Sequence, residues 1–290
     1  MTTERRPYQI PLRGASVRLG ERTLVMGILN VTPDSFAGGT AGTDAAVAHG
    51  LRLFEEGADW VDVGGESTRP GAEPVPADDE TRRVVPVIEA LARRGAGPIS
   101  VDTTKSAVAA AALDAGADLV NDVSGFGYDP AMASLVAARG VPAVLMHLRG
   151  GYAEMHEAPA YRDVMVEVVA ELGAALGRAE RAGVRRELTL VDPGIGFSKD
   201  AAHSLEVVRR LPELAVLERP ILVGPSRKSF IGRVLDLPVE RRLLGTAAAV
   251  AACVVNGAHV VRVHDVREML EVVRVADAVR GDAAAPGRAA

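Results

Sequence analysis

Met26–Gly39 reads MGILNVTPDSFAGG, and the fold follows from how this stretch is built. The apolar run Thr23–Leu29 has the length of a buried strand. It stops at an amide, Asn30, and enters a segment punctuated by Pro33, Gly38 and Gly39. A strand that ends in polar residues and a loop is how α/β enzymes present their chemistry. The pattern recurs. Further apolar runs end in Asp62-Val63-Gly64-Gly65-Glu66, Asp102-Thr103, Asn121-Asp122, His147, Asp192-Pro193-Gly194, Gly224-Pro225-Ser226-Arg227-Lys228 and Arg262-Val263-His264.

Working outward, strands are predicted at 23–29, 60–63, 98–101, 118–120, 143–146, 188–191, 220–223 and 260–263. Helical periodicity falls between them: from the Thr43-Asp44 cap to Gly57, then 80–94, 105–115, 130–139, 162–182, 200–211, 239–256 and 266–279. Residues 8–22, with Gly14 and Gly20 at turn positions, predict a short β-hairpin ahead of the first of these strands. Eight strand–helix units fit either a closed (β/α)8 TIM barrel or a doubly wound open sheet. Polar residues at every strand end favour the barrel, because an open sheet gathers its site at one switch point. The expected organisation is a flexible segment 1–7, one α/β barrel domain over 8–280, and a disordered tail 281–290 rich in Ala, Gly and Pro.

A chain of 290 residues, 48% of them hydrophobic, can bury a core without covalent staples. Its one cysteine, Cys253, excludes an internal disulfide framework, points to a reducing cytoplasm, and in an apolar setting reads as an inert thiol. No run reaches the ~18 apolar residues of a membrane span, and no secretory signal is visible. A net charge of −5 gives no reason to expect nucleic acid as a partner. Lysine occurs only at Lys105, Lys199 and Lys228, and asparagine only at Asn30, Asn121 and Asn256. Two of each fall in the strand-end motifs, which suggests chemistry that arginine does not supply.

Taken together and in order, MGILNVTPDSF, DVGGESTRPGA, SVDT, NDVSG, MHLRG, DPGIGFSK, GPSRKSFIG and RVHDV closely resemble the dihydropteroate synthase family of pterin-binding TIM barrels. The resemblance spans about residues 20–270. It implies joining of 6-hydroxymethyl-7,8-dihydropterin pyrophosphate to p-aminobenzoate with release of diphosphate, Mg²⁺ as cofactor, and a homodimer. It also places Asp102, Asn121, Met146, Asp192, Phe197 and Lys228 around the pterin. Asn30, Thr68, Arg262 and His264 would face the diphosphate, Asn30 also touching Mg²⁺. Ser67, Arg69, Pro70, Phe197 and Ser229 would surround the arylamine. The catalytic set it implies is Asp102, Asp192, Lys228, Arg262 and His264.

The residue types suit that chemistry. A pterin has a donor edge that calls for a carboxylate and an acceptor edge that calls for a lysine. Diphosphate calls for cations, and in RVH the first and third residues point the same way. Simpler roles compete: Asp102 as a helix cap, Asn121 and Asp122 as turn residues, His264 as a cap beside Asp265. His49, His156, His203 and His259 read as ordinary helix or loop residues, while His147 could line the site. The segments 32–42 and 64–79 read as lids. Gly38 stands where the family commonly has a lid carboxylate, and GGYAEMHE after MHLRG is atypical. A pterin-binding methyltransferase and a pterin-binding paralogue without catalysis are the competing functions. The first has no use for Thr68, Arg262 and His264 together.

Overall fold

The structure, a computed structural model, describes residues 5–13, 15–32, 40–68, 71–157 and 159–281. A hairpin of β1 (Tyr8–Leu12) and β2 (Ala15–Leu19) precedes eight strands: β3 (Leu24–Asn30), β4 (Trp60–Gly64), β5 (Ile99–Asp102), β6 (Leu119–Asp122), β7 (Ala143–Met146), β8 (Thr189–Asp192), β9 (Leu222–Val223) and β10 (Val260–Val263). The described helices are α1 (Thr40–Glu55), α2 (Ala77–Arg93), α3 (Ser106–Ala115), α4 (Met132–Arg139), α5 (Val164–Arg181), α6 (Ala201–Arg209), α7 (Ser229–Leu235), α8 (Leu243–Val255) and α9 (Val266–Arg280). The eight strands are parallel in the order β8-β7-β6-β5-β4-β3-β10-β9, and a bridge between Val191 and Ile221 joins the two edges. This is the expected (β/α)8 barrel with its hairpin, and the open sheet is excluded.

The strand alternation builds the interior in two layers. Leu24, Met26, Trp60, Leu119, Val144, Leu190, Leu222 and Val260 form one apolar cluster with Ile10, Leu12 and Leu19 of the hairpin. The hairpin therefore plugs the N-terminal end of the barrel, each fully buried Leu or Val contributing about 1.5–3 kcal/mol. Two residues further along the strands, the same inward face carries Asp62, Asn121, Met146, Asp192 and Arg262. The outward residues pack against the helices in a second cluster that includes Val25, Val61, Val101, Val120, Leu145, Val191, Val223 and Val261.

Local signals end several elements where the sequence places them, although α1 begins at Thr40, ahead of the expected Thr43-Asp44 cap. Asp163 caps α5 by accepting from Met165 N and Val166 N at 3.0 and 3.1 Å. Asp200 caps α6 by accepting from His203 N at 2.7 Å. Three expectations need correction. The strand expected at 220–223 shrinks to Leu222–Val223, because Pro220 has no N–H to give the ladder. Helix α7 lies in a segment read only as a strand-end loop, and α8 begins at Leu243 after a 3-10 turn at Val239–Arg241. Residues 5–7 do not belong to a flexible leader. Arg5 is buried and donates to Asp277 Oδ1 and the Ala258 carbonyl, both at 2.7 Å, because a buried guanidinium needs fixed acceptors. The tail from 282 onward lies outside the described residues.

Candidate active site

The site is built from the C-terminal ends of the barrel strands. Arg262 of β10 reaches across the interior, its Nε donating to Asp62 Oδ2 at 2.6 Å and its Nη2 to Asp102 Oδ2 at 2.7 Å. Asn121 Nδ2 donates to the same Asp62 oxygen at 2.9 Å, so β4, β5, β6 and β10 are joined by one polar network. Asp62 is fully buried, and its Oδ1 has no partner among the described residues. An open acceptor in a buried network marks room for a donor from outside.

Asp192 of β8 completes the ring. Its Oδ1 accepts from Gly194 N at 2.7 Å, and Gly194 takes the left-handed conformation with φ 66°. A side chain there is excluded, because a Cβ would sit 2.1 Å from the His147 carbonyl oxygen. Lys228 follows a left-handed Arg227 (φ 57°), which is held by an ion pair from its guanidinium to Asp265 at 2.5 Å. Lys228 Nζ lies 3.7 Å from the centroid of the Phe197 ring. Phe197 in turn packs with Met146, Met155 and Val123 in an apolar cluster at the mouth. Three carboxylates, Asp62, Asp102 and Asp192, thus face two cations, Arg262 and Lys228. The floor suits a donor-rich heterocycle that carries or develops positive charge.

Burial dominates the electrostatics. It lowers Lys228 to about 7, partly opposed by Asp192. It raises Asp192, against the Gly194 N–H and the nearby cations. It raises Asp102 to about 7, with Arg262 opposing and Asp62 reinforcing. Burial also acts against the Arg262 charge, but Asp62 and Asp102 more than offset it and its pKa is raised.

The simpler roles are excluded one by one. Asp102 points inward, and α3 starts after Lys105 without a side-chain cap. Asn121 bonds to Asp62, whereas Asp122 is the turn residue, accepting from Ser124 N, Ser124 Oγ and Phe126 N. His264 does not cap α9; its Nδ1 lies 2.9 Å from Ser226 Oγ. Asn30 ends β3 half-buried, and Ser229 opens α7 exposed. Arg262 was expected at the mouth as a diphosphate ligand, yet its Nε and Nη2 are engaged with the floor carboxylates. Arg69, Pro70 and the Gly38 departure lie outside the described residues, as does most of the first lid.

The second lid, 64–79, is tied at its neck. Glu66 Oε1 accepts from Lys105 Nζ at 2.9 Å and from Val75 N at 2.6 Å, and Lys105 also bridges to Glu80 at 2.6 Å. Thr68 and Ser67, half-buried, have their carbonyl oxygens bonded by His156 and Tyr152. His156, read as an ordinary loop residue, is therefore part of the mouth. His147 is buried; its Nδ1 lies 2.9 Å from Lys199 Nζ and its Nε2 3.1 Å from Glu171. Lys199 also donates to the carbonyls of Gly194 and Phe197 at 3.2 and 3.1 Å, which fastens the Asp192–Phe197 turn. Burial lowers this lysine to about 7. Sequence reasoning missed Asp62, although a lone acid two residues after Trp60 in WVDVG was a signal: an inward residue following an inward residue. Nothing local marks Tyr152 or His156, whose partners lie 85 and 88 residues away.

Compared with known proteins, the chain matches the pterin binding enzyme family over residues 26–264. The dihydropteroate synthase of Synechocystis sp. is 43% identical over 276 residues, covering 94% of this chain and 96% of the relative. A solved dihydropteroate synthase from Xanthomonas albilineans with 4-aminobenzoic acid aligns with a TM-score of 0.89 at 45% identity, covering 95% of this chain and 99% of that one. A further structure of the Xanthomonas albilineans enzyme, in complex with 7,8-dihydropteroate, aligns with a TM-score of 0.85 at 43% identity, covering 94% and 98%. Its barrel, its polar strand ends and this likeness along nearly its whole length agree: the chain belongs to the dihydropteroate synthase family of pterin-binding enzymes.

Proposed function

We propose that this protein condenses 6-hydroxymethyl-7,8-dihydropterin diphosphate with p-aminobenzoate to give 7,8-dihydropteroate and diphosphate, a transferase step in folate biosynthesis. The observation that carries the reading is the convergence of Asp62, Asp102, Asn121, Asp192, Lys228 and Arg262, from separate strand ends, on one interior floor. Asp192 and Asn121 would receive the donor edge of the pterin, and Lys228 the acceptor edge. The likeness to structures holding 4-aminobenzoic acid and 7,8-dihydropteroate supports the two substrates.

In the reaction, the bond from the exocyclic methylene to the diphosphate oxygen breaks, and the electron pair leaves with diphosphate. The positive charge left on the pterin faces the carboxylate excess of the floor. The arylamine nitrogen forms the new bond to the methylene carbon and releases a proton to solvent. Thr68, His264 and Arg262 would face the leaving group, and the work is orientation plus fixed charge.

Mg²⁺ is part of this reading. Among the described residues no three His, Cys, Asp or Glu side chains converge as a cage, and the Asn30 amide at the end of β3, an oxygen donor, would hold the ion together with diphosphate and water oxygens. When bound, Mg²⁺ would supply charge neutralisation on the leaving group. A cytoplasmic homodimer belongs to the same reading. Leu235, Val239 and Leu244 are exposed on the α7–α8 segment, apolar surface that a second copy would cover.

Mixing the pterin diphosphate, p-aminobenzoate and Mg²⁺ tests the reaction. Dihydropteroate should appear only when all three are present, with one diphosphate released per product; a complete mixture that forms no dihydropteroate would overturn it. In calorimetry, Asp192→Asn should weaken pterin binding more than tenfold, since an unpaired charged hydrogen bond in a buried site costs about 1.5–3 kcal/mol.

A further inference from the structure

The β7–α5 connection crosses the barrel mouth and grips the loop that follows β4. Tyr152 Oη donates to the Ser67 carbonyl at 2.5 Å, and His156 Nε2 donates to the Thr68 carbonyl at 2.6 Å. A carbonyl only accepts, so Nε2 carries the proton in this tautomer. Between the two, Met155 is buried at 1% exposure, and its carbonyl accepts from Ser198 N at 2.7 Å. The His156 ring stacks on Phe197 with centroids 5.5 Å apart and planes at 27°, and Phe197 also carries Lys228 Nζ. One run of contacts therefore leads from the pterin floor through Phe197 and His156 to Thr68.

Two side chains of one loop hold two successive carbonyls of another. Each peptide unit is planar, so fixing consecutive carbonyls holds the peptide units on both sides of Thr68, which fixes the direction of its side chain and anchors the unit that leaves Ser67. The far end of the same loop is closed by Glu66 on Val75 N and Lys105. A segment tied at its neck and along its flank is a wall of the site.

We propose that Tyr152 and His156 are positioning residues that set arylamine affinity by holding Ser67 and Thr68 at the mouth, without touching the arylamine. The inference rests on the reaction assigned above. Neither residue reaches the network of Asp62, Asp102, Asn121 and Arg262, so affinity for the bare pterin does not depend on their hydrogen bonds.

Three variants test it. Tyr152→Phe deletes one hydroxyl, His156→Phe keeps a ring against Phe197 without a donor, and His156→Gln keeps a donor without the ring. Steady-state kinetics with each substrate varied, calorimetry with the bare pterin, and amide exchange over residues 66–68 and 71–75 are the readouts. Tyr152→Phe and His156→Phe should each raise the arylamine KM about threefold to tenfold, the effect of one lost hydrogen bond, and His156→Phe should raise the KM of the pterin diphosphate with it, because Thr68 would face the leaving group. His156→Gln should return it to within about twofold of wild type, and bare-pterin affinity should stay within about twofold throughout. Exchange in the loop should quicken in the two donor-deleted variants. Wild-type turnover with an unchanged arylamine KM in both would overturn the proposal, as would an equal loss of bare-pterin affinity, which marks general loosening. A wild-type enzyme that forms no product would overturn the assigned reaction instead. Unchanged loop exchange would then still overturn the present proposal, because that readout needs no turnover.

Discussion

Two arginines sit at opposite ends of the same barrel, each paired to a buried aspartate. At the N-terminal end, Arg5 bonds to Asp277, Ala258 and Thr23, and Thr23 gives Asp277 both its N–H and its hydroxyl at 2.8 Å. Both carboxylate oxygens of Asp277 are used, and the pair is closed to water, with side chains 0% and 4% exposed. At the C-terminal end, Arg262 is 20% exposed, Asp62 keeps an oxygen unpartnered, and Asp102, Asp192 and Lys228 carry displaced pKa values. The chemistry of the residues is the same. A carboxylate with both oxygens taken has no acceptor left for a ligand and serves stability; a cluster with an open acceptor, Asp62 Oδ1, and shifted pKa values is poised for one.

The comparison breaks or sharpens with single substitutions. Arg262→Met should lower kcat/KM by about 10²–10³-fold, the usual loss for one charge-stabilising donor, read on the folded fraction because it also strands Asp62. If activity survived, the open cluster would not be the site. Arg5→Met should do the reverse. It strands a buried Asp277 and should cost about 3–5 kcal/mol in a denaturant titration, with kcat/KM unchanged wherever the protein remains folded. A fall in kcat/KM at full occupancy of the folded state would mean that the two ends are coupled.

A smaller effect concerns Lys199, which belongs to neither arginine cluster but braces the turn after Asp192. Its native pKa of about 7 lies below the 10.5 of an ordinary lysine, so between these values the unfolded chain binds the extra proton. Stability must then rise with pH in that window, because the cost of burying the ammonium is full below pH 7 and is relieved above it. Between pH 7 and 9, Lys199→Met should remove up to about 2–3 kcal/mol of that rise, read from urea midpoints at the two pH values. An identical slope in variant and wild type would show that the amine keeps its proton, satisfied by His147 and the two carbonyls.

The barrel was legible because strands buried on both faces must be apolar until they reach the mouth. The polar stop after each run then marks the site. Asp102, Asn121, Asp192, Lys228 and Arg262 all lie in such stops, and the family resemblance singles them out among the residues there. Asp62 opens the strand-end motif DVGGE yet carries no role in the sequence reading, because only the inward phase shared with Trp60 separates it from its neighbours. Helix α7 was missed because seven residues directly after the GPSRK motif are too short for a helical period to stand out.

What the sequence determined by itself is therefore local and periodic: eight apolar runs, the residues at their ends, and the match to a pterin-binding barrel. The tertiary structure alone decided pairings across long separations. Arg262 meets Asp62 from 200 residues away, Arg5 meets Asp277 across 272, and His156 meets Thr68 across 88. A periodic pattern records which face of a strand is buried, and nothing in it records which charged end will stand opposite once the barrel closes. Closure sets those distances, and with them which arginine stabilises the fold and which one is left open for chemistry.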